Sequence, residues 1–218
     1  MEIVDRLDRL RGTMDVLEHP FYQRWNAGEL TAQELGIYAG QYRHAVLALA
    51  EASARAAEKA EAPLREGLLR HAEEEASHVA LWDSFARAAD ADADTGASES
   101  ILAGTEACVR AWTAGEGLLE HLAVLYVLEA GQPAISKTKM VGLTAHYGYS
   151  PEGPATEYFR VHELLDVEHA GQARELIAQL MAEAGDAQEQ SERMLERASE
   201  ALRGNWLLLD DVEAHAQS

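Results

Sequence analysis

Apolar residues recur at intervals of three and four positions along most of the chain, which is the spacing of one face of an α-helix. No stretch alternates apolar and polar residues for long, as a half-buried β-strand would. The pattern therefore predicts an all-α protein. It divides the chain into seven helices, at about residues 2–17, 31–60, 63–90, 99–112, 117–146, 154–184 and 186–209.

Proline and capping residues mark the boundaries between these helices. Pro20 breaks the chain after the first helix, in the segment EHPFYQRWNAGEL. Thr31 begins the second helix, because Thr31 and Glu34 have the spacing of a capping box. The segment DADADTGASES at residues 90–100 is predicted to be a loop. Pro133 lies inside the fifth helix and should kink it, because proline lacks a backbone donor.

Composition limits the domain organisation and the location. The chain has 218 residues, 47% of them hydrophobic, which is enough for a sizeable core. It has no internal repeat and no long linker, so we expect residues 1–218 to form one domain. Its charged N-terminus lacks the apolar region of a signal peptide, and no apolar run approaches the roughly 18 residues of a membrane span. With Cys108 as the single cysteine, we expect a soluble cytoplasmic protein.

The formal net charge of -20 argues against some partners. So acidic a surface repels phosphate groups, and we expect neither nucleic acid nor a membrane as a partner. Nothing in the sequence fixes the oligomeric state, and a homodimer is compatible with it.

The predicted sixth helix carries polar side chains in the middle of its apolar face. His162, Asp166 and His169 stand at i, i+4 and i+7 in EYFRVHELLDVEHAGQAREL, within an arc of about 60°. Buried polar groups are costly unless something satisfies them, and imidazole and carboxylate groups on facing helices build di-metal sites. Two interpretations need no metal: a core histidine bonded to a carbonyl group, or a His–Asp hydrogen-bonded pair.

The predicted third helix carries a similar set in LLRHAEEEASHVALW. Glu74 stands four residues and Glu75 three residues before His78, and His71 lies two turns before it on the same side. Helical geometry places Glu74 nearest to the face of His78, with Glu75 next, while Glu73 points away. The alternative interpretation is that the acidic run is solvated.

Glu129 stands alone in the apolar stripe of the predicted fifth helix. Such a carboxylate needs a partner, either a metal ion or a basic side chain from elsewhere. Three imidazoles and three carboxylates on three helices can hold two first-row transition metals, and this mixture suits iron or manganese better than zinc. Open coordination positions would admit O2. The candidate ligands are His78, His162, His169, Asp166, Glu129 and either Glu74 or Glu75.

Three segments resemble the heme-oxygenase-like di-metal oxidases, and within them the para-aminobenzoate synthases. They are VLEHPFYQRWNAGELTAQELGIYAGQY, LYVLEAGQP and YFRVHELLDVEH, and the resemblance extends from about Met14 to the last helix. It implies a seven-helix heme-oxygenase-like bundle, a fold shared with thiaminase-like and pyrroloquinoline-quinone-synthase-like proteins.

The resemblance also implies roles for individual residues. Tyr22 matches a tyrosine that these synthases consume as the source of the aminobenzoate ring, and Lys139 matches a lysine proposed as the amino donor. The implied protein is a single-turnover oxygenase with an Fe/Fe or Fe/Mn pair, O2 and an external reductant, and its substrate is its own side chain. The implied metal ligands are Glu129, His162, Asp166, His169 and, on the third helix, His78.

Without the resemblance, these catalytic candidates have simpler interpretations. Tyr22 can be an ordinary core residue, and so can Tyr38 and Tyr42, an i, i+4 pair that we also count as candidates. Lys139 can be a charge on the helix surface, like Lys137 nearby.

The sequence departs from the family pattern on the third helix. The family usually has a glutamate seven positions before its histidine, whereas His71 occupies that position here. Glu74 or Glu75 then substitutes at closer spacing, or His71 takes the place of the carboxylate. One weak metal site, or none, is a further alternative.

Other functions share some of these features. An N-oxygenase or oxidase of an amino-acid-like small molecule would use the same ligands without needing Tyr22 or Lys139. A metal-free oxidase of the pyrroloquinoline-quinone-synthase type would use the His/Asp cluster to bind a substrate, and a thiaminase-like hydrolase would need a positioned cysteine nucleophile. A non-catalytic interaction protein would keep only the scaffold.

Overall fold

The structure is a computed structural model, and it describes residues 2–93 and 100–216. All the regular elements of the described residues are helical, which confirms the all-α prediction. The chain forms α1 (Ile3–Thr13), a 3-10 turn (Val16–Glu18), α2 (Pro20–Ala27), α3 (Ala32–Lys59), α4 (Leu64–Ala93), α5 (Ala103–Thr113), α6 (Leu118–Glu129), α7 (Gln132–His146), α8 (Glu157–Glu183) and α9 (Ala187–Ala216). The predicted number of seven helices is too low, for two reasons.

The first reason is α2, in a segment that we expected to be a break. Pro20 occupies the start of this helix, where a missing backbone donor has no cost. His19 precedes it as the N-cap, and its Nδ1 accepts a hydrogen bond from the Phe21 amide at 3.1 Å. Gly28 ends the helix with a φ of 72°, in the left-handed region that favours glycine.

The second reason is a break inside the predicted fifth helix. The chain leaves the helix at Ala130 and Gly131 and starts α7 directly afterwards. Pro133 lies in the first turn of α7, so it begins a helix instead of kinking one. The break makes Glu129 the last residue of α6.

The other predicted boundaries agree with the structure to within a few residues, except that the last helix extends to Ala216. The capping box is present, because the Thr31 hydroxyl accepts from the Glu34 amide and the Glu34 carboxylate accepts from the Thr31 amide. Of the predicted loop at 90–100, α4 contains the part up to Ala93. Residues 94–99 lie outside the described residues.

Two apolar cores lie one after the other along the bundle. One contains Trp82 of α4 and Tyr158 of α8, and the other contains Leu68 of α4 and Ala173 of α8. Because the order of the cores along α4 is the reverse of the order along α8, these helices run in opposite directions. The polar segments between these residues therefore lie at the junction of the two cores.

None of the helices among the described residues is both long enough and apolar enough to cross a membrane.

Candidate metal centre

Seven ionisable side chains from three helices converge at the junction of the two cores. Six of them come from two matching motifs on the opposed helices: HxxxExxH on α4 and HxxxDxxH on α8. Glu129 at the end of α6 is the seventh. All are at least nine-tenths buried: His71, Glu75, His78, Glu129, His162, Asp166 and His169.

One end of the cluster is the His71 group, which consists of His71, Glu129 and His169. His71 Nε2 lies 2.9 Å from Glu129 Oε1. The rings of His71 and His169 lie 4.2 Å apart, measured between centroids. This end therefore offers two imidazoles and one carboxylate.

The other end is the His78 group, which consists of Glu75, His78 and His162. Glu75 Oε1 lies 3.3 Å from His78 Nδ1, and Glu75 Oε2 lies 3.7 Å from His162 Nε2. The rings of His78 and His162 are 4.6 Å apart. This end also offers two imidazoles and one carboxylate.

Glu75 and Asp166 occupy the space between the two groups. His169 Nδ1 lies 3.7 Å from Glu75 Oε1 and 3.6 Å from Asp166 Oδ1, and these three residues form a third set of converging ligand atoms. Glu75 thus offers carboxylate oxygens to histidines of both groups, and Asp166 offers one to His169.

The ligand atoms of the cluster lack hydrogen-bond partners of acceptable geometry among the described residues. This holds for one nitrogen of each of the four histidines, for Glu75 Oε1, and for both carboxylate oxygens of Glu129 and of Asp166. Leaving a single buried polar group unsatisfied costs about 1–3 kcal/mol. Since so many lone pairs point at one another, the donor set fits divalent metal ions.

Hydrogen bonds behind the cluster fix which histidine nitrogens face inward. His162 Nδ1 lies 2.8 Å from the Tyr158 carbonyl oxygen, to which it donates, so Nε2 faces the cluster with a lone pair. His169 Nε2 lies 3.0 Å from Glu74 Oε2, which leaves Nδ1 inward. Metal-binding histidines commonly donate their second N–H to such acceptors.

The structure corrects the predicted order of the two glutamates. Glu75 is the carboxylate next to His78, whereas the Glu74 side chain is 53% exposed and contacts the outer nitrogen of His169. His71 faces the cluster as well, in the position that the family pattern gives to a carboxylate.

The carboxylates and imidazoles of the cluster shift each other's proton affinities. Burial raises the pKa of Glu129 and of Asp166. Burial also acts to raise the pKa of Glu75, but contacts with His162 and His78 hold it far below its usual value. Burial acts to lower the pKa of His169, but Asp166, Glu129 and Glu74 raise it to about 9. A metal ion must displace protons from these same atoms.

The four predicted catalytic candidates come together in a buried group of side chains lined by aromatic rings, which we call the chamber. Lys139 is fully buried, so the interpretation as a surface charge is wrong. Its Nζ lies 4.6 Å from the centroid of the Tyr42 ring, 5.5 Å from that of Tyr22 and 5.4 Å from that of Tyr38. The hydroxyls of Tyr22 and Tyr38 are 3.0 Å apart and share a hydrogen bond.

Burial sets the protonation of this chamber. It lowers the pKa of Lys139 to about 7, so that much of the amine is neutral near neutral pH. Burial raises the pKa of Tyr22 above its usual value, although the hydrogen bond from Tyr38 opposes this. Near neutral pH the chamber therefore holds an amine with both protonation states populated, next to protonated phenols.

Two aromatic side chains connect the chamber with the metal-ligand cluster. The Tyr158 ring stacks on His162 at 3.9 Å, and Trp82 contacts the Tyr158 ring at 4.9 Å. Trp82 also lies 5.7 Å from Lys139 Nζ. The helical spacing of these two residues suits core packing equally well, so the sequence alone does not single them out. The chamber thus adjoins the His78 group.

A model of the iron-containing redox enzyme family matches residues 37–205. The chain belongs to this family. This iron-containing redox enzyme is 31% identical over 220 residues to a 4-aminobenzoate synthase of Chlamydia muridarum, which covers 96% of the chain and 89% of the relative. It is 30% identical over 226 residues to a 4-aminobenzoate synthase of Nitrosomonas europaea. This match covers 95% of the chain and 89% of the relative. The resemblance to para-aminobenzoate synthases, another name for 4-aminobenzoate synthases, is confirmed.

Solved structures show the fold of the enzyme. A domain with a heme oxygenase-like fold from Shewanella denitrificans matches with a TM-score of 0.80 and 19% identity, over 100% of this chain and 94% of that one. A TenA homologue from P. horikoshii matches with a TM-score of 0.74 and 19% identity. This match covers 97% of this chain and 98% of that one. The heme-oxygenase-like architecture is therefore confirmed.

Proposed function

We propose that this enzyme is a 4-aminobenzoate synthase that makes its product from its own side chains, with the ring from Tyr22 and the nitrogen from Lys139. The observation that carries the proposal is the chamber itself. It places a buried amine within 5.5 Å of the Tyr22 ring centroid and next to a cluster of metal ligands.

The cluster suits a pair of non-heme metal ions, Fe/Fe or Fe/Mn. Each of its two groups contains two histidines and one carboxylate, the ligand type of non-heme Fe(II) oxygenases, which keep coordination positions open. The proposed ligands are His71, Glu75, His78, Glu129, His162, Asp166 and His169. Bound metal would supply the activation of O2, with electrons from an external reductant.

The side chains of the chamber would hold the reacting groups in place. Tyr38 fixes the Tyr22 hydroxyl by a hydrogen bond, and Tyr42 lies nearest to the Lys139 amine. Because the aromatic walls are buried, they exclude water from the amine. A neutral amine is the form of lysine that transfers nitrogen, so the lowered pKa of Lys139 favours this role.

Isotope labelling tests the proposal. The chain is produced with 13C in the tyrosine rings and 15N in the lysine side chains, loaded anaerobically with Fe(II), with or without Mn(II), and exposed to O2 and a reductant. We expect 4-aminobenzoate with both labels and a chain that has lost mass at Tyr22, as measured by mass spectrometry.

Matched variants complete the test. Tyr22→Phe and Lys139→Arg should abolish the product, whereas Tyr126→Phe and Lys137→Arg, which change residues outside the chamber, should not. Unlabelled product, or undiminished product from Tyr22→Phe, would show that the ring has another source. The enzyme would then be an oxidase of an external small molecule.

A further inference from the structure

A solvent-open cavity of about 370 Å³ leads from the surface to one end of the metal-ligand cluster. It lies between the first turns of α4 and the second half of α8, with α6 behind it. Leu68, Leu122 and Leu176 are among its apolar walls, and His71 and His169 line its inner end. The two histidines belong to the His71 group, and no member of the His78 group lines the cavity.

Packed aromatic side chains cover His162 at the far end of the cluster. His162 is fully buried under the ring of Tyr158. Trp82, Phe85 and Phe159 lie beyond it, and each has no exposed surface. An ion that moves between this cavity and the His78 group must therefore pass the His71 group.

The mouth of the cavity has the charge that attracts cations. Glu175 lines it and is exposed, and the exposed Glu74 accepts a hydrogen bond from the outer nitrogen of His169. Glu66 and Arg70 also line the mouth and pair with each other at 3.1 Å, so that their charges cancel and the net charge of the mouth is negative. Carboxylates around a cleft with apolar walls concentrate cations and speed their arrival.

The inner end of the cavity holds unpartnered ligand atoms. His71 Nε2 and His169 Nδ1 are buried and lack a hydrogen-bond partner within the described ranges. His71 itself is 8% exposed, more than any other member of the cluster. These atoms are the first metal ligands that a cation entering from the mouth would meet.

We infer that this cavity is the entrance for hydrated divalent first-row metal ions, so that the His71 group holds an exchangeable ion and the His78 group holds a retained one. The inference rests on the proposed di-metal centre and adds an order of loading to it. The two groups have the same ligand types, two imidazoles and a carboxylate, so access distinguishes them more than ligand chemistry does. The inner ion loads first and leaves last.

Anaerobic iron release tests this order. Protein loaded with Fe(II) is mixed with an excess of a chromophoric Fe(II) chelator, and the coloured complex is followed over time. We expect two phases of equal amplitude, with the second slower by at least about 10-fold, because release of the inner ion requires a local opening of the fold. A single phase that accounts for all the iron would overturn the inference.

A plug at the mouth tests the route. Gln172 is exposed and lines the cavity, so Gln172→Trp should slow iron uptake and the first release phase by about 10-fold without changing the final iron content. Gln188→Trp, an exposed position on α9 away from the cavity, is the matched control and should leave both rates unchanged. Equal rates in the plugged and control proteins would show that iron enters elsewhere.

A charge variant gives an independent measurement if the plug disturbs folding. Glu66→Gln combined with Glu175→Gln should slow uptake by about 10-fold at low salt, with a smaller difference at high salt. Uptake unaffected by these changes would contradict the inference. Failure of the proposed function is distinguishable, because a protein that makes no 4-aminobenzoate can still release iron in two phases. A protein that binds no iron would refute both.

Discussion

Burial alone changes the proton affinity of Lys139. Its amine has no hydrogen-bond partner among the described residues and is surrounded by aromatic rings, including Tyr42 at 4.6 Å. Attraction between the ammonium form and these rings recovers only part of the lost hydration. Desolvation therefore dominates, and it lowers the pKa to about 7.

The depressed pKa of Lys139 predicts a pH dependence of stability. Between about pH 7 and 10, the unfolded chain holds the lysine proton and the folded chain does not, so the free energy of unfolding rises with pH. Lys139→Met removes this dependence. The stability of wild type relative to the variant should rise by about 1.4 kcal/mol per pH unit in this window. Urea unfolding of both proteins at pH 7.5 and 9.5 measures the slope, and a difference that does not change with pH would refute the expectation.

Glu74 should matter through its hydrogen bond to His169 and not as a ligand. Glu74→Ala removes the acceptor that orients the ring, so the affinity of the His71 group for Fe(II) should fall by about 10–100-fold. Equilibrium binding under anaerobic conditions measures this change. Glu73→Ala is the matched control, since Glu73 is an exposed neighbour outside the cluster. Equal losses in the two variants would point to a general effect of surface charge.

The sequence could not decide between Glu74 and Glu75. His71 and His78 project in nearly the same direction, and the two glutamates lie about 50° to either side of it. The position of α8 decides which glutamate faces the cluster, because α8 lies on the side of Glu75. The tertiary structure sets that position, and the helical periodicity of the sequence does not predict it.

At the scale of elements, the pair of matching motifs is the main feature of the site. α4 and α8 run in opposite directions, so HxxxExxH and HxxxDxxH bring His71 to His169 and His78 to His162. The sequence contains the HxxxExxH motif, but His71 stands where the family pattern has a carboxylate. The signal that identifies His71 as a site residue is the match between the motifs of α4 and α8.

The two motifs predict that substitutions of their residues lower the iron content of the protein by different amounts. His71→Ala should reduce the iron content from about two ions to about one per chain, because it removes a ligand of the His71 group only. Glu75→Ala should reduce it further, because Glu75 belongs to two of the three ligand sets. Elemental analysis after gel filtration measures the content. His44→Ala, outside the cluster, should retain both ions, and an unchanged content in Glu75→Ala would remove Glu75 from the site.

The helix boundaries show the limits of reading proline from sequence. Pro20 and Pro133 both stand in the first turn of a helix, whereas the sequence pattern predicts an interruption at each. Proline is compatible with a helix start and incompatible with a helix interior, and only the neighbouring cap distinguishes the two cases. For Pro20 the cap was His19, which is not one of the usual capping residues.

At the scale of the whole molecule, a polar cluster separates two apolar cores. The long helices α4 and α8 each contribute to both cores. Seven ionisable groups at the junction oppose folding unless they are paired or bound to a metal. The periodicity of the sequence revealed the buried faces, but not that the cores meet at this level.

Metal loading should therefore stabilise the whole fold. An ion that binds only the native state adds about 2.7 kcal/mol when its free concentration is 100 times its dissociation constant. The melting temperature measured anaerobically should rise with Fe(II) and fall again with a chelator. Glu75→Ala should show little of this rise, whereas Tyr22→Phe should keep it. A melting temperature that does not respond to Fe(II) would contradict the assignment of the cluster.

In the proposed reaction, the position of Tyr22 would limit the lifetime of the protein. Its side chain is 1% exposed and packs against Phe21, Trp25 and Tyr38. The proposed reaction would remove this ring from the core, and loss of a buried aromatic side chain typically costs about 3–5 kcal/mol. The whole free energy of unfolding of a native protein is only about 5–15 kcal/mol. A used chain would unfold more often than a fresh one and be degraded first, so the cell could remove spent copies without a dedicated signal.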